Sequence, residues 1–246
     1  MRDILKEGSR MLGGELSEKQ IDMLCRYSEL LVEWNGRMNL TAITDEREIA
    51  IKHFLDSLSV LLTGKVGENV IDVGTGAGFP GLVIKIARPE IRLTLLDSLK
   101  KRLTFLEAVA SELSLDNVQL IHARAEEGAR RPQLREKFDT AVSRAVANMT
   151  KLSEYCLPYV KPGGYFLALK GPQAEEEIKE ARRTISILGG GEPEIIDAYI
   201  PFGELSHKTA VIKKVRRTPM QFPRKSQQIA KSAVESCYQI YKKPGK

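Results

Sequence analysis

The sequence predicts an α/β fold: a mostly parallel, seven-stranded sheet with helices on both faces, preceded by an N-terminal helical cap. Three observations predict it. From about residue 69, short apolar runs alternate with helical patterns, as repeated β-α units require. The runs are apolar almost without interruption, as strands buried on both faces must be. A glycine cluster follows the first run, at the place where open α/β sheets bind ligands.

The first sixty residues read as helical. Ser17 with Gln20 makes a capping-box pattern, and Ile21, Leu24, Leu31 and Trp34 recur at helical spacing until Gly36, which reads as the stop. After the connection Asn39-Leu40-Thr41, Asp45 with Glu48 repeats the start signal ahead of Ile49, Ile51, Phe54, Leu55, Leu58 and Leu62. Val70-Ile71-Asp72-Val73 is the first strand. Pro80 falls near the first turn of the next helix, where a missing N–H costs little. Strand two is 93–96 and a long amphipathic helix spans 99–113. Strand three is 118–121, strand four is 138–143, and a helix follows over about 150–160. Gly163-Gly164 turns into strand five, 165–169, and a charged helix covers about 173–188. The runs 194–200 and 209–215 have no long crossover between them, so they pair as a hairpin at an antiparallel edge. Pro219 and Pro223 then precede an amphipathic stretch near 229–240. The expected organisation is a helical extension packed on the core (1–65), the core itself (66–217) and a basic C-terminal extension (218–246).

Composition narrows the class. With 42% hydrophobic and 28% charged residues, the 246-residue chain has the make-up of a soluble globular protein, and no run approaches the ~18 apolar residues of a membrane span. The opening MRDILKEGSR carries acids and no apolar stretch, so no secretory signal is expected, and a cytoplasmic monomer is. Cys25, Cys156 and Cys237 lie far apart, which suggests packed side chains and neither a disulfide framework nor a metal site. Charge is unevenly placed: 208–246 holds eleven Lys/Arg against one acid, Glu235, while the rest of the chain is net −4. Such a basic segment is either a solvated tail or a footprint for a phosphate backbone.

The segment Asp72-Val73-Gly74-Thr75-Gly76-Ala77-Gly78-Phe79-Pro80-Gly81 contains two overlapping patterns. Read from Gly76, it spells the dinucleotide fingerprint G-x-G-x-x-G. That reading expects the first glycine directly after the strand and a pyrophosphate at the helix N-terminus. Here an acid, Asp72, ends the strand and is followed by G-x-G-x-G, an order that resembles motif I of the class I S-adenosylmethionine-dependent methyltransferases, a Rossmann-like fold. Asp97, 25 residues on, ends strand two, where a carboxylate accepts from both ribose hydroxyls; it suits NAD equally. Simpler roles stand beside these: Asp72 capping the glycine turn, and Asp97 capping a helix that begins at Ser98.

Further stretches extend the resemblance. Asn39-Leu40-Thr41, His53-Phe54-Leu55-Asp56-Ser57-Leu58, the GFP ending of the glycine loop, Asp97-Ser98-Leu99-Lys100-Lys101-Arg102, Arg124-Ala125-Glu126, Ser143-Arg144-Ala145-Val146-Ala147 and Leu169-Lys170-Gly171 occur in this order. Over about residues 20–217 the sequence resembles the bacterial 16S ribosomal RNA (guanine-N7)-methyltransferases, the glucose-inhibited division protein B family. The resemblance implies S-adenosylmethionine as cofactor. It implies contacts to it from Asp72, Gly74, Gly76, Gly78 and Phe79, from Asp97, Ser98 and Leu99 at the ribose, from Ala125 and Glu126 at the adenine, and from Arg144. It implies 16S rRNA in the small ribosomal subunit as substrate. Glu126 as a first-turn helix acid and Arg144 as a surface ion-pair partner are the plainer alternatives. The family's Y-P-R-K type ending is Phe222-Pro223-Arg224-Lys225 here, followed by about twenty more residues.

The chemistry implied needs few catalytic groups. Guanine N7 has a lone pair and no proton to lose, so no general base is expected and placement must do most of the work. The cysteine expected near strand four for cytosine C5 chemistry is missing, and so is the N-P-P-Y motif of amino-group methylation. His53 and Asp56 share a helix face and either line the cleft or form a structural pair. Lys100, Arg102, Lys170, Arg224 and Lys225 are candidates for RNA phosphates. N7 lies on the major-groove edge, so the target nucleotide must be exposed or extruded. Alternatives are methylation of another RNA or a protein, an NAD-dependent oxidoreductase, and an RNA-binding module without turnover.

Overall fold

The computed structural model describes residues 1–203 and 207–231. Its sheet has seven strands, β1 (Asn69–Val73), β2 (Arg92–Asp97), β3 (Val118–His122), β4 (Phe138–Arg144), β5 (Val160–Lys170), β6 (Glu194–Ala198) and β7 (His207–Lys213), in the order β3-β2-β1-β4-β5-β7-β6. β1 to β5 run parallel, and β7 runs antiparallel to both its neighbours, so the hairpin enters by its second strand. The chain winds outward from β1 to β3, then returns to lay β4 on the other side of β1. That reversal opens a crevice at the carboxyl ends of β1 and β4.

Alternate strand residues feed two cores. Val70, Leu93, Leu95, Val142 and Leu167 face one side, against α1 (Arg2–Met11), α2 (Glu18–Met38), α5 (Gly81–Ala87) and α6 (Lys100–Glu112). Ile71, Leu96, Ala141 and Phe166 face the other, against α8 (Met149–Cys156) and α9 (Ala174–Ile187). The N-terminal helices share the first core with the sheet, which fixes them to it through fully buried Leu5, Leu24, Leu31 and Phe54.

Local signals act where expected, with three differences. Ser17 and Gln20 form the capping box of α2. Asp45 caps α3 (Glu46–Glu48), which continues as a π-helical stretch Ile49–Leu55, α4 (Asp56–Ser59) and a 3-10 turn Val60–Thr63. Gly36 does not stop α2. The helix runs on to Met38 and ends at Asn39, which takes the left-handed conformation (φ 51°), while the Asn35 side chain accepts the N–H groups of Leu40 and Thr41. A terminal side-chain acceptor outweighs the ~1 kcal/mol that an interior glycine costs. The helix expected to reach residue 160 ends at Cys156, because Pro158 sets a 3-10 turn. β5 starts at Val160, before the Gly163-Gly164 pair expected to precede it, since 160 already pairs with Phe138 across a register shift. Of the tail, α10 (Ser226–Lys231) is described, and most of the amphipathic stretch near 229–240 lies outside the described residues. Among the described residues no helix is long and apolar enough to cross a membrane.

Candidate cofactor and methyl-acceptor cleft

A cavity of about 560 Å³ occupies the crevice. Its walls come from the glycine loop (Gly74, Gly76, Phe79), the end of β2 (Asp97, Ser98), the start of α7 (Ala125–Gly128) at Ala125 and Glu126, and the end of β4 at Arg144. His53 and Arg102 reach it as well. Ten of the residues singled out from the sequence therefore meet around one space.

Asp97 is 2% exposed and serves the loop and the cleft together. Its Oδ1 accepts the Leu99 N–H (2.8 Å), and its Oδ2 accepts the Gly76 N–H (3.0 Å) and the Arg102 guanidinium (3.3 Å). α6 begins two residues later than a cap at Asp97 requires, so the carboxylate ties the turn without being the N-cap. Asp72 lies beneath the glycine loop and is fully buried. Its Oδ2 accepts the Thr75 hydroxyl (2.8 Å) and the Gly81 N–H (2.9 Å), the turn-capping role foreseen for it. Its Oδ1 is buried with no partner. Burial pushes its pKa up to about 6, against the pull of those two hydrogen bonds.

These contacts discriminate between ligand classes. The N-terminus of α5 is already filled by the Asp72 carboxylate, which leaves no place there for the pyrophosphate of a dinucleotide. A buried, half-satisfied acid under the loop instead favours a ligand bearing positive charge. The residues fit S-adenosylmethionine, which carries an ammonium and a sulfonium: Asp97 faces the cleft for the ribose, and a Cβ built on Gly76 meets nothing within 4 Å, so the space beside the main chain is open.

Arg144 is embedded in polar contacts. Its Nη1 donates to Asp56 Oδ2 (2.7 Å) and to the Lys52 carbonyl (3.0 Å), its Nη2 lies 3.2 Å from His53 Nδ1, and the guanidinium lies 5.0 Å above the Phe79 ring. His53 stacks on Phe79 at 4.5 Å, and its Nε2 is 2.9 Å from the Thr41 hydroxyl. A guanidinium can only donate, so with Nδ1 accepting from Arg144 the proton sits on Nε2, and the Lys52 carbonyl, 3.3 Å from Nδ1, is instead satisfied by Arg144. Burial and the charge of Arg144 hold the imidazole neutral, its pKa lowered to about 4. Burial raises the Asp56 carboxyl, but the hydrogen bond from His207 and the charge of Arg144 outweigh it, and the net direction is downward. Arg144 is thus a largely buried partner of Asp56 and not a surface ion pair.

Several sequence-predicted residues take other places. Gly78 is a packing position: a Cβ there collides with the Tyr27 hydroxyl and with Leu82 and Leu106. Leu99 is 42% exposed beside the cleft, and Lys100 is exposed. Lys170 donates to the Ala147 carbonyl (2.8 Å) and to Glu177 (2.6 Å), holding the loop after β4 instead of facing solvent for a phosphate. Arg224 is 5% exposed and clasps Glu154, itself fully buried, through its side chain and its own N–H. An RNA-phosphate role for Arg224 does not fit that geometry, because leaving would strand a buried carboxylate. Lys225 is exposed along a second cavity of about 820 Å³, bounded by Glu127 and the tail. Glu126 accepts a hydrogen bond from Ser226, bringing α10 to the cleft beside Ala125.

Sequence reasoning missed Tyr27, whose hydroxyl donates to the Ala77 carbonyl and braces the glycine loop from α2. It missed Ala145, a non-glycine residue at φ 55° that turns the chain just after Arg144, and Val146, which packs over Gly74. His207 was also missed; its Nδ1 is 2.5 Å from Asp56 Oδ1. Ala145 and Val146 stand in a stretch the sequence did single out, without a role given to either; Tyr27 and His207 carry no local mark, since each acts on residues distant in the chain.

Residues 20–198 match the family described as rRNA small subunit methyltransferase G. The chain is 50% identical over 237 residues to a ribosomal RNA small subunit methyltransferase G of Alkaliphilus oremlandii, covering 96% of this chain and 99% of that one. It is 48% identical over 225 residues to the protein of that name from Clostridium novyi, covering 91% and 93%. Among solved structures, an S-adenosylmethionine-dependent O-methyltransferase of Thermotoga maritima superposes with a TM-score of 0.51 at 17% identity, over 77% of this chain and 73% of that one, a likeness of fold alone. A cleft suited to a sulfonium cofactor, a matched segment covering most of the sequence and half-identical relatives over nearly their full length lead to one conclusion: the chain belongs to the rRNA small subunit methyltransferase G family, and its cofactor is S-adenosylmethionine.

Proposed function

We propose that this protein methylates N7 of a guanine in 16S rRNA of the small ribosomal subunit. The observation that carries the reading is the single cleft joining Asp97, the glycine loop and Arg144 in a chain half-identical to enzymes named for the small subunit. S-adenosylmethionine, when bound, supplies an electrophilic methyl group. The residues hold and orient: Gly74, Gly76 and Phe79 border the methionine part above Asp72, Asp97 with Ser98 takes the ribose, and Ala125 with Glu126 takes the adenine. Gly78 and Leu99 support these walls from behind and beside them. Arg144, with His53, faces the acceptor base, and Asp56 is buried behind Arg144.

The acceptor nitrogen has no proton to remove, so these groups need only align it and shield the site from water. Lys100, Arg102 and Lys225, together with the basic residues of the extension, are the candidates to meet phosphates. Functionally the chain divides into a helical cap (1–65), a cofactor-binding core (66–217) and a basic extension (218–246). The test is to incubate the protein with labelled cofactor and small subunits lacking the modification. Label should appear as 7-methylguanosine, detected by chain scission at the modified base. Label at another atom, or only on another RNA or a protein, refutes the substrate and leaves the fold and cofactor standing.

A further inference from the structure

Several buried charges in this fold serve packing. Lys85 satisfies the Pro89 and Ile91 carbonyls, Lys214 satisfies Leu157 and Thr218, and Glu154 satisfies Arg224. Asp56 differs, because its two oxygens point to different elements and one of them leads to the cleft. Oδ2 receives Arg144 from β4 and Oδ1 receives His207 from β7, a strand two places further along the sheet. The carboxylate is 2% exposed, so water cannot take the place of either partner.

We propose that His207 and Asp56 are positioning residues for methyl transfer: together they aim the Arg144 guanidinium at the acceptor, and the Asp56 carboxylate offsets its charge. The proposal rests on the methyltransferase reading above. Methyl transfer from sulfur to N7 breaks the S–C bond and forms an N–C bond. The nitrogen lone pair becomes the new bond and the S–C pair returns to sulfur, so positive charge passes from the sulfonium to the base. An uncompensated guanidinium beside that path opposes charge arriving on the base. Paired with Asp56, Arg144 offers N–H donors with little net charge. One edge of it is already engaged by Asp56 and the Lys52 carbonyl. It is therefore not free to pivot and cap N7, the atom that must stay open. His207 completes the device from behind. By donating to Oδ1, it stops the carboxylate from rotating off Arg144.

The experiment compares the full-length wild type with His207→Leu, His207→Asn and Asp56→Asn, measuring kcat, KM for S-adenosylmethionine and Tm, on small subunits lacking the modification. His207→Leu should lower kcat about tenfold, equivalent to about 1.4 kcal/mol in the barrier, with KM for the cofactor within about twofold of wild type. His207→Asn places an amide N–H near the position of Nδ1–H and should restore most of the loss. Asp56→Asn keeps the shape but removes the charge, and should lower kcat further than His207→Leu. An active wild type with His207→Leu unchanged in kcat overturns the proposal. So does a His207→Asn protein as impaired as His207→Leu, or a loss of kcat that merely follows a fall in Tm in all three variants. A wild type that methylates no small subunit overturns the substrate reading, and this inference with it.

Discussion

Asp72 stands at the foot of the cleft at a cost in stability. Its carboxyl is fully buried and one oxygen has no partner, so burial raises its pKa from 3.8 to about 6. Between those values the folded chain holds a proton that the unfolded chain has released. The contribution of the neutral form is therefore complete below about pH 4 and lost as pH rises through 6, a penalty of about 3 kcal/mol at neutrality. His53 has the opposite sign over nearly the same window: its pKa falls from 6.5 to about 4, so its contribution is present above 6.5 and lost as pH falls toward 4. The two offset each other in the wild type. Asp72→Asn should thus be about 1–3 kcal/mol more stable at pH 7, bind S-adenosylmethionine at least about tenfold more weakly, and show a steeper loss of Tm between pH 6.5 and 4. Urea unfolding at pH 7, calorimetric titration and a Tm–pH series check the three parts. A less stable Asp72→Asn at pH 7 would contradict the assignment of strain to this carboxylate.

At the scale of elements, the glycine loop and the tail show how local geometry serves the cleft. Gly76 and Gly78 both have positive φ, yet a Cβ at Gly76 enters open space while one at Gly78 strikes Tyr27, Leu82 and Leu106. Gly76→Ala should cost about 1 kcal/mol of stability while abolishing most cofactor binding. Gly78→Ala should cost several times more, about 3 kcal/mol or above, and push α2 away from the loop. Thermal unfolding and cofactor titration of the two proteins separate a ligand-facing glycine from a packing glycine. The tail is held by the Arg224–Glu154 pair and by Arg135, which donates to the Thr218, Pro219 and Phe222 carbonyls. Arg224→Met leaves Glu154 charged and buried with only the N–H of residue 224, and should cost about 3 kcal/mol. Adding Glu154→Leu should recover much of that loss, as a double-variant unfolding cycle would record.

Across the whole molecule, charge and cofactor chemistry are separated along the chain. Residues 1–207, which supply the cofactor cleft except for Ser226, are net −4, while 208–246 is net +10. Such a division lets affinity for RNA be changed without touching the methyl donor. Ending the chain after Lys231 removes Lys242, Lys243, Lys246 and Glu235. Binding to small-subunit RNA should weaken and its dependence of log K on log salt should flatten by about 2. Affinity for S-adenosylmethionine should not change. Filter binding across a salt series, beside calorimetry with the cofactor, tests this; an unaltered slope would mean the extension does not contact phosphates.

The sequence by itself determined the α/β class, the seven strands, both helix-start signals and the acid–glycine register that separates a sulfonium cofactor from a dinucleotide. All of these are local: strand periodicity, caps and turn glycines involve residues close in the chain, so their spacing can be read directly. Tertiary structure alone decided how the antiparallel hairpin enters the sheet, that Gly78 is packed by Tyr27, that Lys170 and Arg224 are engaged inside the fold, and that His207 reaches Asp56 across 151 positions. A lysine or arginine looks the same in sequence whether it waits for a phosphate or clasps a buried acid. The choice is set by desolvation and by partners that only the folded chain brings within hydrogen-bond distance.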